Sequence, residues 1–410
     1  MPRVRSTSLL IAAAALASVA APAAAATPPA TTVHCGQQIS HNTRVTNDLV
    51  NCPGTALTVV ADGVTLDLGG HLVDGTNAPG GEGVAVDGHS AVRIQNGTIR
   101  GFRLNGIGLR DAPRSAVQGV TIRQIGAGGA EGEDVSAGIL VDGSNDVVLD
   151  GNSISNNVTA YQSDGIDVLG SRRVRISHND ASRNAWNGIV IFQSDGSQVL
   201  ASRTAGNVNS GISVVNSPSV LVAHNTSADQ PLPDTGGIVL LGTTRDSVVG
   251  NRLVGNNLGI DLEAGTTASS VAGNEVSGGG DGIGLLDSNG NTVSDNSIHD
   301  LPGNGVFLDE FFLEQGSSGN MIQRNDVART GSDGFFVGDL SSANRFDRNV
   351  ATRGGANGFS VTTPGNRLSS NTASYNRKRG IEAVTGTVDG GGNHAFGNGV
   401  SPQCRGVVCG

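Results

Sequence analysis

The sequence predicts an all-β fold, a parallel solenoid in which each coil of the chain stacks on the coil before it. The first observation is a pattern that recurs every 22 to 32 residues and starts with a Gly and two apolar residues that flank a variable one. The second is an Asn that follows about ten residues later. A period of this length is typical of one solenoid turn. The repeats begin at Gly106, Gly138, Gly165, Gly188, Gly211, Gly237, Gly259, Gly282, Gly305, Gly334, Gly358 and Gly380.

Composition is the third observation that favours this fold. The chain has 62 Gly, and only 15% of its residues are charged, yet Leu, Ile and Val recur in every repeat. Regularly spaced aliphatic residues argue against disorder and for a thin, regular core.

Residues 1–26 are predicted to be a secretory signal. Arg3 and Arg5 form a positive start, an apolar run follows from Leu9 to Ala20, and Ala24-x-Ala26 is a small-residue cleavage site. The run is too short and too rich in Ala for a membrane span, and no other stretch approaches 18 apolar residues. We therefore expect the mature protein to be secreted, without a membrane span.

Residues 27–56 and 399–410 are predicted to be cap segments at the two ends of the solenoid, which occupies 57–398. Each cap region contains two Cys, Cys35 and Cys52 before the repeats and Cys404 and Cys409 after them. Three pairings are possible, and local pairing is favoured because a solenoid holds its ends far apart. Disulfides suit an exported protein. A zinc site is disfavoured because the chain has no Cys-x-x-Cys pair.

The repeat can be interpreted residue by residue. In Gly165-Ile-Asp-Val-Leu, strand alternation places Ile166 and Val168 in the core and Asp167 outside. The same spacing stacks Ile189 and Ile191, Ile212 and Val214, then Ile238 and Leu240 in further coils. About fourteen coils would form a rod roughly 65 Å long. A column of Asn is predicted to be a structural turn ladder: Asn152, Asn179, Asn225, Asn251, Asn274, Asn296, Asn325, Asn349, Asn371 and Asn393.

The Gly-Ile-x-Val and Gly-Asn-x-Ile phrases resemble those of right-handed parallel β-helix repeat proteins of the pectin-lyase-like superfamily. The likeness covers about 57–398, and the segment from His34 to His71 resembles the cap and first coil of secreted members. That superfamily includes pectin-acting enzymes, alginate lyases, mannuronan epimerases and non-enzymes. The resemblance therefore implies a right-handed parallel β-helix, but it implies no particular activity.

The net charge of the mature chain limits the classes of molecule that it is expected to bind. Without Arg3 and Arg5, the 26 basic residues fall to 24 against 36 acidic ones, a net charge of −12. This balance argues against a nucleic-acid binder. We expect a monomer whose partner is a polysaccharide or a cell-surface glycan.

Four segments depart from the repeat, and insertions in solenoids map to loops on one face. Three of them precede the same strand column, so we expect them to wall a cleft on one side of the rod; the fourth follows that column. The segments are Gly126–Ala137, Val158–Asp164, Gln230–Gly236 and Asp309–Asn320.

Asp167, Tyr161 and Trp186 are the leading candidates for a sugar-binding site in this cleft. Exposed aromatic rings pack on the C–H faces of sugars while a carboxylate orients hydroxyls. The alternative is that both rings only cover an irregular loop. His178 is a candidate base, although its column is a solvated turn position, and Arg183 is a candidate to pair with a sugar carboxylate.

Asp164 has two interpretations. Tyr161-Gln-Ser-Asp164 resembles the Tyr-x-x-Asp of mannuronan C5-epimerases, in which Tyr, Asp and a His transfer protons, but here Gly-Ile-Asp follows and no His does. Asp164 also precedes the leading Gly of its repeat, where other coils carry Asn, Ser or Asp, and this favours a turn residue. Asp167 and Asp261 share an outward column four coils apart, about 19 Å, too far for a glycosidase pair.

Phe307 and Phe336 form a second candidate binding surface, since they point outward on neighbouring coils. The alternative is that the segment 309–320 folds its own Phe311 and Phe312 over these rings. No defined calcium loop is visible, so no cofactor is predicted with confidence, although carboxylates in either region are suitable ligands for Ca²⁺.

The functional expectation is a secreted protein that interacts with a polysaccharide. We expect a lyase or epimerase that acts on a uronate-containing glycan by proton abstraction beside its carboxylate. The opposing hypothesis is a non-catalytic scaffold, adhesin or glycan-binding module.

Overall fold

A computed structural model describes residues 27–126, 136–157, 163–232, 235–311, 313 and 315–410. These residues form a parallel β-helix of about fifteen turns, close to the fourteen expected, and contain no helix. Each regular coil passes through three short strands, which we call faces A, B and C in chain order. Every strand of a face pairs in parallel with its neighbours on the adjacent coils.

Face A is one 16-stranded sheet among the described residues. Its strands are Gln37–Ile39, Leu57–Val59, Glu82–Asp87, Asn105–Arg110, Ser136–Asp142, Ser163–Leu169, Ile189–Phe192, Ile212–Val215, Gly236–Leu241, Leu258–Glu263, Asp281–Leu286, Val306–Asp309, Phe335–Val337, Phe359–Val361, Ile381–Ala383 and Cys404–Arg405. At roughly 4.8 Å per coil, this sheet is about 70 Å long.

Faces B and C merge into one sheet because the strands Arg93–Arg100 and Ala116–Arg123 run through the corner and belong to both. The other strands of face B are Ala30–Thr31, Thr43–Val45, Thr65–Asp67, Val148–Asp150, Arg175–Ser177, Gln198–Leu200, Leu221–Ala223, Ser247–Val249, Ser270–Ala272, Thr292–Ser294, Met321–Gln323, Arg345–Asp347, Arg367–Ser369 and Val388–Asp389. Those of face C are Leu49–Cys52, Leu72–Gly75, Ser153–Ser155, Asp180–Ser182, Arg203–Ala205, Thr226–Ala228, Arg252–Val254, Glu275–Ser277, Ser297–Leu301, Asp326–Thr330, Val350–Thr352, Thr372–Ser374 and His394–Phe396.

The core is a set of aliphatic stacks that run along the axis. On face A, Ile166 pairs in register with Ile189, which pairs with Ile212, which in turn pairs with Ile238. All four side chains are fully buried. The stacking predicted from the repeat is therefore confirmed, and it fixes which residues of each coil point outward.

The Gly that leads each repeat is required by close packing at the corner before face A. A Cβ on Gly188 would lie 2.6 Å from the carbonyl oxygen of Gly211 and 2.8 Å from Nδ2 of Asn207. The obstructing oxygen belongs to the backbone of the next coil, which has no freedom to move without breaking the stack. Conserving this small residue from coil to coil therefore follows from the geometry.

The predicted Asn column is a buried ladder at the corner between faces B and C. The backbone N–H and the side-chain amide of Asn225 both donate to Oδ1 of Asn251, at 2.9 and 3.0 Å. Asn251 donates in turn to Oδ1 of Asn274 and to the carbonyl of Val222. The ladder thus satisfies backbone groups that the turn withdraws from the sheets.

The two ends are stapled as expected. Cys35 bonds Cys52 with 5.3 Å between their Cα atoms, and Cys404 bonds Cys409 with 6.1 Å. Both bridges are local, and each lies beside the terminal strands of the helix. No helix long and apolar enough to cross a bilayer occurs in the described part of the chain.

We predict that Gly188→Ala destabilises the fold by about 1–3 kcal/mol, because its Cβ collides with the Gly211 backbone. Urea unfolding measures the change in free energy. Gly54→Ala is the matched control, since its Cβ meets nothing within 4 Å and its φ is not positive. Equal effects of the two substitutions would contradict the close packing described for the corner.

Candidate functional site

The irregular segments border face A, as the sequence predicts for three of them. The segments Gly126–Ala137, Val158–Asp164 and Gln230–Gly236 each lead into a face A strand, and Asp309–Asn320 leaves the opposite end of one. Whether the first three converge stays a prediction, because much of them lies outside the described residues. The undescribed parts of the four are 127–135, 158–162, 233–234, 312 and 314.

Asp167 lies on the outward side of face A, between Leu140 and Val190 on the neighbouring coils. Its side chain is nevertheless buried, since the residue is only 5% exposed. Its Oδ1 has no hydrogen-bond partner within the described part of the chain. A buried carboxyl without a donor is costly to ionise, so this residue differs from an ordinary surface Asp.

Burial, together with the like charges of Asp164 and Asp142, raises the pKa of Asp167 to about 8. Burial likewise raises the pKa of Asp164 to about 7, against two hydrogen bonds from Asn187 that lower it. The charged groups that act on Asp167 are therefore both negative. Near neutral pH, Asp164 and Asp167 together therefore retain a proton.

Asp164 also has a structural role, which agrees with its interpretation as a turn residue. Its Oδ1 accepts the backbone N–H of Asn187 at 2.8 Å and the Asn187 side-chain amide at 3.0 Å. In later coils, Asp281 and Asp333 occupy the same position and accept the backbone N–H of Asn304 and Asn357. The residue before the leading Gly thus connects successive coils.

Trp186 lies at the corner that leads into face A, one coil after Asp164. Its backbone N–H donates to the carbonyl of Ser163 at 3.1 Å, and its side chain is half-buried. The position is compatible with the sugar platform expected beside Asp167, which remains a prediction. Tyr161, the other ring of that platform, lies outside the described residues.

His178 and Arg183 are not brought to Asp167. His178 lies at the corner between faces B and C, where its Nδ1 is 2.8 Å from Oδ1 of Asp150 and the ring is 65% exposed. Arg183 is exposed in the turn after face C. Both have left-handed backbone, with φ of 55° and 56°, as turn residues do. The charged residues that act on Asp167 are Asp164 and Asp142, which both lie on face A.

A second acidic position, Asp261, lies under a pocket further along face A. The register Asp167, Val190, Ser213, Val239, Asp261 confirms the expected separation of four coils. The pocket has a volume of about 240 Å³. Its lining residues are Asn257, Leu258, Asp261, Glu263, Asp281, Leu286, Phe307 and Phe311.

Gly284 lets the Phe307 ring approach Asp261 beside this pocket, because it has no side chain. A Cβ at Gly284 would lie 2.8 Å from Cζ of Phe307 and 3.0 Å from Oδ1 of Asp261. The Phe307 ring therefore reaches back over the preceding coil toward the buried carboxylate. Phe336 pairs with Phe307 on the next coil but does not line the pocket.

Asp287 holds Phe311 at the pocket. Its carboxylate accepts backbone N–H groups of Phe311 at 3.1 Å, Leu313 at 2.6 Å, Gln315 at 3.0 Å and Gly316 at 3.1 Å. Burial favours a higher pKa for Asp287, but these four donors together lower it. A single ionised side chain thus fixes the described part of the segment 309–320.

The sequence places both Asp261 and Phe307 at outward positions, but Glu263, which also lines the pocket, was missed. The alternation in Asp261-Leu262-Glu263 was the available signal, because residues two apart in a strand share a face. The role of Asp287 had no such signal, since it depends on a segment that breaks the repeat. Among the described residues, no group of three or more His, Cys, Asp or Glu is arranged to hold a metal ion.

A protein-family model described as "Right handed beta helix region" matches residues 41–227, 133–276 and 236–393. Together these matches cover residues 41–393, which is most of the chain. A search of curated proteins found no match.

Several solved structures share the fold. The Streptococcus pneumoniae surface protein and adhesin PfbA is similar with a TM-score of 0.54 and 14% identity, over 66% of this chain and 87% of that one. The GH136 lacto-N-biosidase from Eubacterium ramulus has a TM-score of 0.52 and 14% identity, over 75% of this chain and 62% of that one. The Agl-KA catalytic domain has a TM-score of 0.53 and 11% identity, over 76% of this chain and 62% of that one. At these identities the likeness concerns the fold alone.

We predict that Asp167→Asn changes the pH dependence of stability. The pKa of Asp167 rises from 3.8 to about 8 on folding, so the folded state binds the extra proton and wild-type stability falls as pH rises across that interval. The variant lacks this penalty, which amounts to at most about 1.4 kcal/mol per pH unit. Urea unfolding at pH 4, 6 and 8 should show the variant gaining on the wild type as pH rises.

Asp287→Asn serves as a control of opposite sign. The folded-state pKa of Asp287 is lowered, so its carboxylate stabilises the fold above its unfolded pKa, and the substitution should cost more at pH 6 than at acid pH. A pH-independent difference between Asp167→Asn and the wild type would contradict the assignment of Asp167 as a neutral buried acid.

Proposed function

The chain belongs to the right-handed β-helix region family, and from that premise we propose that it is an extracytoplasmic glycan-binding member. The proposed binding site is the pocket on face A between Phe307 and Asp261. The two disulfides support a location in an oxidising compartment, outside the cytoplasm. Secretion through cleavage near Ala26 is part of the proposal.

The observation that carries the proposal is the lining of the pocket. Two aromatic rings, Phe307 and Phe311, stand beside the carboxylates of Asp261, Glu263 and Asp281. Ring faces pack on the C–H surface of a sugar, and carboxyl oxygens accept hydrogen bonds from its hydroxyls. The volume of about 240 Å³ lies below the roughly 300–1,000 Å³ of sites for drug-sized ligands, which suits one sugar ring of a longer chain.

Charge favours a neutral glycan over the uronate-containing glycan expected from the sequence. The described residues that line the pocket include three acidic side chains and no Lys, Arg or His. A uronate carboxylate placed there would meet acidic side chains and no compensating cation, which is unfavourable in a partly desolvated site.

The lyase or epimerase hypothesis meets the same difficulty at Asp167. Proton abstraction next to a sugar carboxylate needs a cation to neutralise that carboxylate. The candidate for this role, Arg183, lies in the turn after face C, and the charges that act on Asp167 are those of Asp164 and Asp142. Binding of a neutral glycan is therefore the better-supported function.

We predict that Phe307→Ala weakens glycan binding at least about tenfold, which corresponds to about 1.4 kcal/mol. The measurement is calorimetric titration of residues 27–410 with neutral glucan, xylan and galactan oligosaccharides, and with alginate and pectate oligomers. Phe336→Ala is the matched control, since it removes an outward ring from the next coil without touching the pocket lining.

Binding of a neutral oligosaccharide that is lost in Phe307→Ala and kept in Phe336→Ala would support the proposal. Preference for alginate or pectate would return the uronate hypothesis to first place. Absence of binding to every glycan would favour the structural scaffold.

A further inference from the structure

Two outward carboxyl groups lie diagonally on adjacent coils of face A. Asp167 pairs in register with Leu140, and Asp142 follows Leu140 by two positions in the same strand, Ser136–Asp142. Residues two apart in a strand point to the same side, so Asp142 faces outward like Asp167. With coils about 4.8 Å apart and two residues spanning about 6.6 Å, the two Cα atoms are roughly 8 Å apart.

The environments of the two carboxyl groups are opposite. Asp167 is 5% exposed, stands between Leu140 and Val190, and has one oxygen without a hydrogen-bond partner among the described residues. Asp142 is exposed to solvent. When two carboxyl groups near one site differ in this way, the buried one retains its proton and the exposed one acts as the base.

The charged neighbours preserve this difference. Asp164, from the same strand as Asp167, and Asp142, from the preceding coil, both disfavour ionisation of Asp167, while the following coil presents Val190. Arg110 pairs in register with Asp142, but its guanidinium donates to Glu82 at 3.0 Å and to Asp87 at 3.4 Å. The cation closest in register is therefore committed to carboxylates on an earlier coil.

We propose that Asp167 and Asp142 are the general acid and the general base of a glycoside hydrolase site. Asp167 donates its proton to the oxygen of the glycosidic bond as the bond from that oxygen to the anomeric carbon breaks. Asp142 takes a proton from a water molecule, whose oxygen forms the new bond to the anomeric carbon. One water is consumed, two sugar hydroxyls are produced, and Asp142 returns its proton to Asp167 through solvent.

The spacing also sets the stereochemical outcome. Outward side chains of one sheet leave it in the same direction, so from the Cα separation we infer that the two carboxyl groups are on the order of 8 Å apart. This lies within the roughly 6.5–9.5 Å of inverting glycosidases, which leaves room for the attacking water, and exceeds the about 5–5.5 Å of retaining ones. The site is therefore expected to invert the anomeric configuration.

This inference rests on the proposed function, because it requires a glycan on face A, but it concerns a different place on that face. Asp167 lies four coils from Asp261, roughly 19 Å along the axis. A polysaccharide bound at Phe307 and lying along the outward column would reach both. The pocket would hold the chain, and the Asp142–Asp167 pair would cleave it.

The test is cleavage of each neutral oligosaccharide that residues 27–410 bind in the titrations above. New reducing ends are counted, and proton NMR gives the anomeric configuration of the first product. We expect cleavage with inversion, and a loss of kcat of at least about 100-fold in Asp167→Asn and Asp142→Asn. Asp87→Asn is the matched control and should keep full activity, because Asp87 occupies the same outward column as Asp142 two coils earlier.

Two further measurements distinguish a catalytic role of the two residues from a structural one. Azide needs no base, so it should restore turnover to Asp142→Ala and give a glycosyl azide. The rate of the wild type should fall as pH rises through the range in which Asp167 loses its proton, a limb that Asp167→Asn removes whether or not that variant is fully stable.

Three outcomes would overturn the inference. A glycan that is bound but not cleaved would exclude the catalytic pair and leave the glycan-binding function standing. Cleavage that survives both Asp167→Asn and Asp142→Asn would place the chemistry elsewhere. Absence of binding to any glycan would remove the proposed function and the pair with it.

Discussion

The structure depends on one constraint, that the buried backbone groups at each corner must find partners on the next coil. Asn251 shows how this is met, because its Oδ1 accepts two donors from Asn225 while its amide donates to Val222 and Asn274. An unsatisfied buried donor costs about 1–3 kcal/mol, and the ladder repeats this risk in every coil. A side chain that both donates and accepts at the same place in successive coils meets this constraint, as Asn does in most coils and Ser202 does between Asn179 and Asn225.

Strict stacking at the corners makes the outward positions of face A into straight columns. A residue on one coil therefore has predictable neighbours, such as Leu140 and Val190 on either side of Asp167. Most side chains in this column are small or apolar, so a carboxyl group there has neighbours that cannot donate hydrogen bonds to it. The buried acids Asp167 and Asp261 are local exceptions to a regular fold, and such exceptions are expected where a protein performs its function.

Much of the fold was predictable from the sequence, because a solenoid encodes its contacts locally. The stack of Ile166 on Ile189 and the pairings Cys35–Cys52 and Cys404–Cys409 followed from repeat spacing and from the distance between the ends. The predicted site was less accessible to this reasoning. His178 and Arg183 are near Asp167 in sequence, but they occupy turns outside face A. The chain passes through three faces in each coil, so residues close in sequence lie on different sides of the rod. The pocket at Phe307 depends on Asp287 gathering four N–H groups from a non-repeating segment, which no periodicity specifies.

A carbon-13 titration of the Asp167 carboxyl group would show directly whether Asp167 is a neutral acid at physiological pH. Protein labelled at Asp Cγ would be followed by NMR from pH 4 to 10, with Asp167→Asn used to assign the resonance. We expect a signal that titrates near pH 8 and is absent from the variant. A wild-type spectrum in which every Asp carboxyl has ionised below pH 5 would show instead that Asp167 is charged at neutral pH.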